Sequence, residues 1–276
     1  MRIRSYPTEE YLGLIFVYLG DTERGDTGAF SPPPLPRYPR FEQEGLLDAI
    51  AFVRLCNYFN DLENACDPVH VGFVHGESAI AIDGDIDLSR VLVEETESGI
   101  SVATIKAHEG GGLRVNQYLM PNIQVIKLPP LRDAEQDWRD FISWRVPVDD
   151  EHYLSCNVNL LHIKDEDARR AAADAWAVAR QQARASIAEL GQAVLAGTVR
   201  IADVQDQIAN VVNLQDEVAL CGQGVIPDRL RERLGRSDVG VILLRKIWRR
   251  ELEALATDQP LKPWTPTGAS LATTGI

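Results

Sequence analysis

The sequence predicts an α+β protein in which helices cover one face of an antiparallel sheet. Three observations predict it. Six strand-like runs lie between residues 86 and 163 with turn residues between them, one irregular helical stretch precedes them, and most of the chain after residue 165 is helical in composition. Strands that follow one another through short turns pair antiparallel, because a parallel return needs a long crossover.

In chain order, residues 11–19 (Tyr-Leu-Gly-Leu-Ile-Phe-Val-Tyr-Leu) are rich in aromatic and branched side chains and read as a buried strand ending at Gly20. Residues 31–39 carry five prolines in nine positions, which excludes helix and sheet interior and leaves a stiff extended connector. A strand followed at once by such a linker reads as the tail of a domain whose front is missing. Residues 62–74 read as an irregular helix interrupted at Pro68. Strands are expected at 86–94, 100–107, 113–120, 123–128, 138–146 and 153–163, with hairpin turns at Glu109-Gly-Gly-Gly112 and Asp149-Asp150. Residues 165–190 read as a long helix with acidic residues in its first turn, shorter helices follow to 220, and 237–255 form a last amphipathic helix. The Pro/Thr/Gly-rich stretch from 257 is expected to be loosely ordered. No internal repeat is visible.

At 276 residues the chain is one large domain or two small ones, and 45% apolar with 25% charged residues is the profile of a soluble globular protein. Twenty-eight basic against 41 acidic residues leave a net charge of −13. Such a surface repels phosphate and argues against nucleic acid or an anionic membrane as partner. The apolar run 12–19 is far short of the roughly 18 residues a membrane span needs. Met1-Arg-Ile-Arg4 opens no signal segment. Cys56, Cys66, Cys156 and Cys221 are too widely spaced for a disulfide framework. Together these predict a reduced, cytoplasmic protein.

The chemistry is concentrated in residues 57–75, which hold two of the five histidines, His70 and His75, with Asp67 three positions before the first. Two neutral imidazoles and one carboxylate suit Fe(II) and leave positions open for oxygen and substrate. At about 100° per residue, a five-residue spacing sets the two side chains roughly 140° apart. They meet at one ion only if the helix distorts or ends between them, which Gly72 allows. Asp67 is placed to accept the His70 imidazole N–H. Two histidines on a partly exposed helix also occur without any metal, and local sequence cannot choose a third ligand among 41 acidic residues.

The arrangement Asp67-x-x-His70-x-x-x-x-His75 resembles the mononuclear-iron motif of Rieske non-heme iron oxygenases, the ring-hydroxylating dioxygenases, and most closely their phthalate 4,5-dioxygenase-like alpha subunits. A second stretch agrees. Gln215-Asp216 followed by Gly224-Val-Ile-Pro-Asp228-Arg229 and Leu234-Gly-Arg-Ser-Asp238 is similar to the C-terminal signature of that subgroup. Residues 6–20 look like the segment that closes the Rieske domain, and Arg145-Val-Pro-Val-Asp-Asp150 fits the family's sheet.

The resemblance implies a helix-grip fold (Bet v 1-like or START-like) with a deep apolar cavity over residues 41–257. Residues 1–40 would be the remnant of a Rieske domain with its linker, and 258–276 a loose tail. It implies mononuclear Fe(II) on His70, His75 and Asp216, with O2 and an aromatic substrate, carboxylated or not, beside it. Electrons would come from NAD(P)H through a reductase and a Rieske or ferredoxin donor, and the product would be hydroxylated or O-dealkylated. Asp67 would link His70 to a neighbouring subunit's cluster in a homotrimer. Asn64 would lie near the iron, although helix capping is an equal reading. Asn213 and Gln215 would line the pocket or support Asp216.

The chain departs from the family in one respect. A Rieske [2Fe–2S] centre needs C-x-H and C-x-x-H pairs, and no cysteine here has a histidine two or three positions after it. The cluster ligands are absent from this chain, as in a truncated product, an excised domain or a subunit served by another protein. Two rival readings come from other classes: a non-catalytic helix-grip domain that, without electrons, holds a hydrophobic ligand, and a zinc-type metallohydrolase on the same triad. His108, His152 and His162 read as structural or surface, Arg245–Arg250 as the solvated face of the last helix, and Cys66 as a small buried hydrophobe.

Overall fold

The computed structural model describes residues 5–20, 32–76, 86–106, 113–128, 138–182, 186–208 and 210–265. His108 and the expected turn at Glu109–Gly112 lie outside them. The strands are β1 (Thr8–Tyr11), β2 (Leu14–Val17), β3 (Leu46–Arg54), β4 (Ile86–Glu95), β5 (Gly99–Lys106), β6 (Leu113–Leu119), β7 (Ile123–Leu128), β8 (Arg139–Pro147) and β9 (Tyr153–Leu161). The helices are α1 (Tyr58–Ala65), α2 (His70–Val74), α3 (Glu166–Gln182), α4 (Ile187–Leu195), α5 (Ile201–Val204), α6 (Val211–Gly222) and α7 (Val239–Ala256).

The fold is α+β and helix-grip-like, around a seven-stranded antiparallel sheet in the order β3-β9-β8-β7-β6-β5-β4. Strands β4 to β9 form a meander. β3 closes it by pairing with β9 from Leu46↔Leu161 to Arg54↔Tyr153. β3 escaped the sequence reading because its alternation is blurred by Asp48, Ala49 and Ala51. Since α1 and α2 lie in the connection from β3 to β4, they are carried onto one face of the sheet.

The two faces differ in chemistry. The back face presents Val125, Ile142, Trp144, Val158 and Leu160, and the N-terminal segment buries them with Tyr11, Tyr38 and Phe41. Phe16 meets Trp144 edge-on at 5.6 Å, and the Tyr38 backbone N–H donates to the Tyr11 hydroxyl at 2.6 Å. The helix face carries a polar row instead: the register sets Gln124 against Ser143, and Ser143 against Asn157.

Several sequence expectations are corrected. Residues 11–19 form a hairpin rather than one strand, because Leu12 and Gly13 take φ of 53° and 76°, the left-handed pair a two-residue turn requires. Ile15 and Leu19 are consequently exposed. The early helix starts at Tyr58, before residue 62, because the Asn57 side chain caps it by accepting from the Phe59 N–H at 2.9 Å. The expected helix 165–190 is two helices, the second started by a capping box between Ser186 and Glu189. Residues 258–265, the start of the expected loose tail, are tied down. Lys262 binds Glu95 at 2.6 Å and stands 4.1 Å over the Trp264 ring, which packs against the α7 core. Arg245 is no solvated cation either, since it joins α7 to Glu63 of α1 at 2.6 Å.

Gly240 lets α7 approach the chain just ahead of the candidate ligands. A Cβ there would stand 2.1 Å from the Cys66 backbone carbonyl. Gly240→Ala is therefore expected to cost about 1–3 kcal/mol of stability in urea unfolding, as overpacking of a tight contact does. An unchanged midpoint would show that the junction has slack.

Candidate metal centre

The local sequence solves the five-residue spacing by ending the helix. His70 opens α2, and His75 is its C-cap with φ −110° and ψ 9°, outside helical geometry. The imidazoles thereby converge, with ring centroids 5.4 Å apart and planes at 78°. Asp216 comes from α6, which the Asn210 side chain caps by accepting from the Val212 N–H at 3.0 Å. Burial of Leu214, Leu220 and Cys221 on the inner side of α6 turns Asp216 toward α2.

One donor atom from each of His70, His75 and Asp216 lies within 4.8 Å of the other two. Both imidazoles are held at Nδ1. The His75 Nδ1–H donates to Gln215 Oε1 at 2.9 Å, and that of His70 to the Asp67 backbone carbonyl. Donation from Nδ1 fixes the tautomer that carries its lone pair on Nε2. His75 Nε2 and Asp216 Oδ1 are 3.1 Å apart, yet Oδ1 is buried and accepts no hydrogen bond, so the contact has the distance of one but not its direction. Two lone pairs and a carboxylate oxygen facing one point are the donor set of a facial Fe(II) site, and these residues fit such an ion.

Charge reinforces the arrangement. Burial would raise the Asp216 pKa, but His75 and the Arg54 guanidinium, 4.0 Å away, hold it below the usual carboxylate value. Burial would likewise lower the His75 pKa, and the Asp216 carboxylate outweighs it. Arg54 is anchored by fully buried Glu217 at 3.0 Å and by the Asn213 carbonyl at 3.3 Å.

Two expected roles change. Asp67 holds His70 through its backbone carbonyl, while its carboxylate accepts from the Val69 N–H at 2.8 Å and shapes the turn after Pro68. Asn64 caps nothing with its side chain; it sits in the last turn of α1 and lines the cavity beside His70, as Asn213 also does. Of the remaining histidines within the described residues, His152 pairs with Asp149 at 2.9 Å and His162 with Asp140 at 2.8 Å.

The candidate ligands open on a cavity of about 130 Å3 between α1, α2, α6 and the sheet. That is close to the roughly 150 Å3 known to take a benzene ring. Its wall is not the apolar one the resemblance implied. Ile50, Ile126, Leu128 and Phe141 contribute apolar surface, but Asn116, Gln124, Ser143, Asn157, Asn159 and three arginines line the rest. Arg145 grips Asp61 with two bonds of 3.1 and 3.3 Å, and Asp61 also accepts from the Tyr153 hydroxyl at 2.6 Å. Sequence reasoning missed Arg54, Asp61 and Arg139, and Arg145 had been placed only in the sheet. Their partners lie up to 163 positions away, so no local motif announces them.

No family model matches the chain. Curated relatives do. It is 33% identical over 167 residues to the phenoxybenzoate dioxygenase subunit alpha of Ectopseudomonas oleovorans, covering 54% of this chain and 38% of the relative. It is 25% identical over 275 residues to the 5,5'-dehydrodivanillate O-demethylase oxygenase subunit of a Sphingobium strain, covering 95% and 55%. The chain is a relative of Rieske oxygenase alpha subunits. It spans between about a third and just over half the length of these two curated relatives. Among solved structures, the oxygenase in a reduced oxygenase–ferredoxin complex of carbazole 1,9a-dioxygenase has the same fold. There the TM-score is 0.51 at 17% identity, over 96% of this chain and 67% of that one. No helix among the described residues is long and apolar enough to cross a membrane.

Proposed function

We propose that this chain is the catalytic domain of an aromatic-ring oxygenase, with Fe(II) held by His70, His75 and Asp216. The observation that carries the reading is the convergence of these donors on the cavity, with Nδ1 of each imidazole bound to a carbonyl oxygen. Bound there, Fe(II) supplies the site at which dioxygen is activated. The chain's own residues supply the rest. Gln215 and the Asp67 carbonyl orient the two imidazoles, and Arg54 keeps Asp216 ionised and in place. Asn64 and the sheet residues position an aromatic ring that enters the cavity.

In this reading residues 41–257 are the catalytic domain, and residues 1–40 are the end of a Rieske domain with its linker. Electrons arrive from a separate Rieske or ferredoxin protein and an NAD(P)H reductase, in the cytoplasm, to a homotrimer in which Asp67 faces the neighbouring subunit. The product is a hydroxylated or O-demethylated aromatic, in keeping with the reactions named for the two curated relatives.

The test is the Fe(II)-loaded chain supplied with a ferredoxin, its reductase and NADH, a panel of benzoates and methoxybenzoates, and 18O2. For ring hydroxylation the expected result is 18O in the new hydroxyl of the benzoate; for a methoxybenzoate it is NADH-dependent O2 uptake matched by formaldehyde release, since the phenol keeps the substrate's own oxygen. Product oxygen drawn only from water, or equal turnover with Zn(II), would favour the hydrolytic reading. Gln215→Leu removes the acceptor that fixes the His75 tautomer and should weaken iron binding about 10–100-fold, the usual cost of losing such a partner. An unchanged iron affinity would show that Gln215 does not orient the ligand.

A further inference from the structure

Two neighbouring carboxylates on α6, Asp216 and Glu217, face the guanidinium of Arg54. At about 100° per residue they point in different directions. Asp216 lines the cavity, whereas Glu217 is fully buried against α4. Gly191 of α4 makes room for it, since a Cβ there would stand 2.6 Å from Glu217 Cγ. Both Glu217 oxygens are taken. Oε2 accepts from Arg54 Nη1 at 3.0 Å, and Oε1 accepts from the thiol of Cys221, one turn along α6, at 3.3 Å. Arg54 is fixed in its turn: Nη1 also donates to the Asn213 carbonyl at 3.3 Å, and Cζ lies 5.1 Å over the Phe52 ring.

The two oxygens of Asp216 are thereby made unequal. Oδ1 stands 3.1 Å from His75 Nε2, and Oδ2 stands 4.0 Å from Arg54 Nη2, on a cation that Glu217 holds in place. A guanidinium keeps its proton in a protein, so its pull on Oδ2 persists across the working pH range.

We infer that Glu217 and Arg54 are positioning residues that reserve a single oxygen of Asp216, Oδ1, for the metal. This rests on the reading that His70, His75 and Asp216 hold Fe(II). A carboxylate can grip an ion through one oxygen or through two. The second grip would use up a position that a facial site keeps open for its reactants. Arg54 draws Oδ2 aside, and Glu217 stops Arg54 from moving onto Asp216 outright and competing with the metal for both oxygens. Groups that hold a carboxylate ligand in this way are usually worth about 10–100-fold in metal affinity.

The test is anaerobic Fe(II) dialysis and iron K-edge absorption on the full chain. The variants are Glu217→Gln, which keeps the shape, Arg54→Lys, which keeps a cation, and the double variant Arg54→Met/Glu217→Leu, which removes both charges of the pair. A thermal melt of each shows that it is folded. Wild type is expected to bind one iron with the carboxylate on it through one oxygen. The carboxylate carbon, which chelation draws close to the iron, reports the mode. The double variant should bind iron tenfold or more weaker and chelate it through both oxygens. Glu217→Gln should lose tenfold or more in affinity, and Arg54→Lys should keep the one-oxygen mode. Residues that served only the fold would lower the melting temperature and leave the ligand shell of the iron unchanged. A chelating carboxylate in wild type, an unchanged ligand shell in the double variant, or unchanged iron affinity in Glu217→Gln would overturn the inference and leave the iron site standing. No iron in wild type would overturn both.

Discussion

Asp216→Ala and His75→Ala are each expected to abolish stoichiometric Fe(II) binding while leaving the chain folded. Each removes one of three donors that lie within 4.8 Å of one another. The loss of affinity should therefore exceed the roughly 10–100-fold that follows removal of an outer partner. Folding should survive Asp216→Ala because Arg54 keeps its 3.0 Å bond to Glu217 and is not left as an unpaired buried cation. Equilibrium dialysis with Fe(II) under anaerobic conditions, followed by a thermal melt, separates the two effects. Retention of one iron per chain in either variant would mean that the ligand set is misassigned.

Arg145→Ala is expected to be the most damaging substitution away from the ligands. It strands the Asp61 carboxylate, buried between α1 and the sheet, with the Tyr153 hydroxyl but without its bidentate guanidinium. Breaking a buried pair on one side costs about 3–5 kcal/mol, most of it the penalty of the charge left behind. The double variant Asp61→Leu/Arg145→Met should recover much of that loss in urea unfolding, because neither charge then remains. The pH dependence has a definite sign. Burial would raise the Asp61 pKa, yet Arg145 and Arg54 hold it below its ordinary 3.8. Its stabilising contribution is thus present above that unfolded value and is lost as pH falls through the lower folded one. Stability that rises on acidification through this range in wild type, relative to the double variant, would contradict the assignment.

Much of the architecture was legible in sequence because it rests on local signals. The meander from β4 to β9 follows alternating apolar runs with turn residues between them, and α7 follows a helical period. The Asp67, His70 and His75 cluster was legible for the same reason, since its residues sit within nine positions. Asp216, 141 positions beyond His75, came only through resemblance to a family, because no local feature marks one acidic residue among 41 as a ligand. What stayed hidden depends on sheet register. Arg139 and Asn159 meet because β8 and β9 are neighbours, and the polar cavity wall appears only when Gln124, Ser143 and Asn157 fall in one row. The hairpin at Leu12-Gly13 stayed hidden because a leucine at positive φ is a turn that composition does not advertise. The role of the Asp67 carbonyl, in place of its carboxylate, is a matter of one side-chain rotation that spacing cannot report.

The central claim is that His70, His75 and Asp216 form one iron site. Iron K-edge absorption of the full chain, loaded anaerobically with Fe(II) and assayed for metal content, tests it most directly. The account predicts about one iron per chain, with two imidazole nitrogens and further oxygen or nitrogen ligands and no sulfur, since all four cysteines lie outside the donor set. Less than a tenth of an iron per chain, or a sulfur shell around it, would contradict the account.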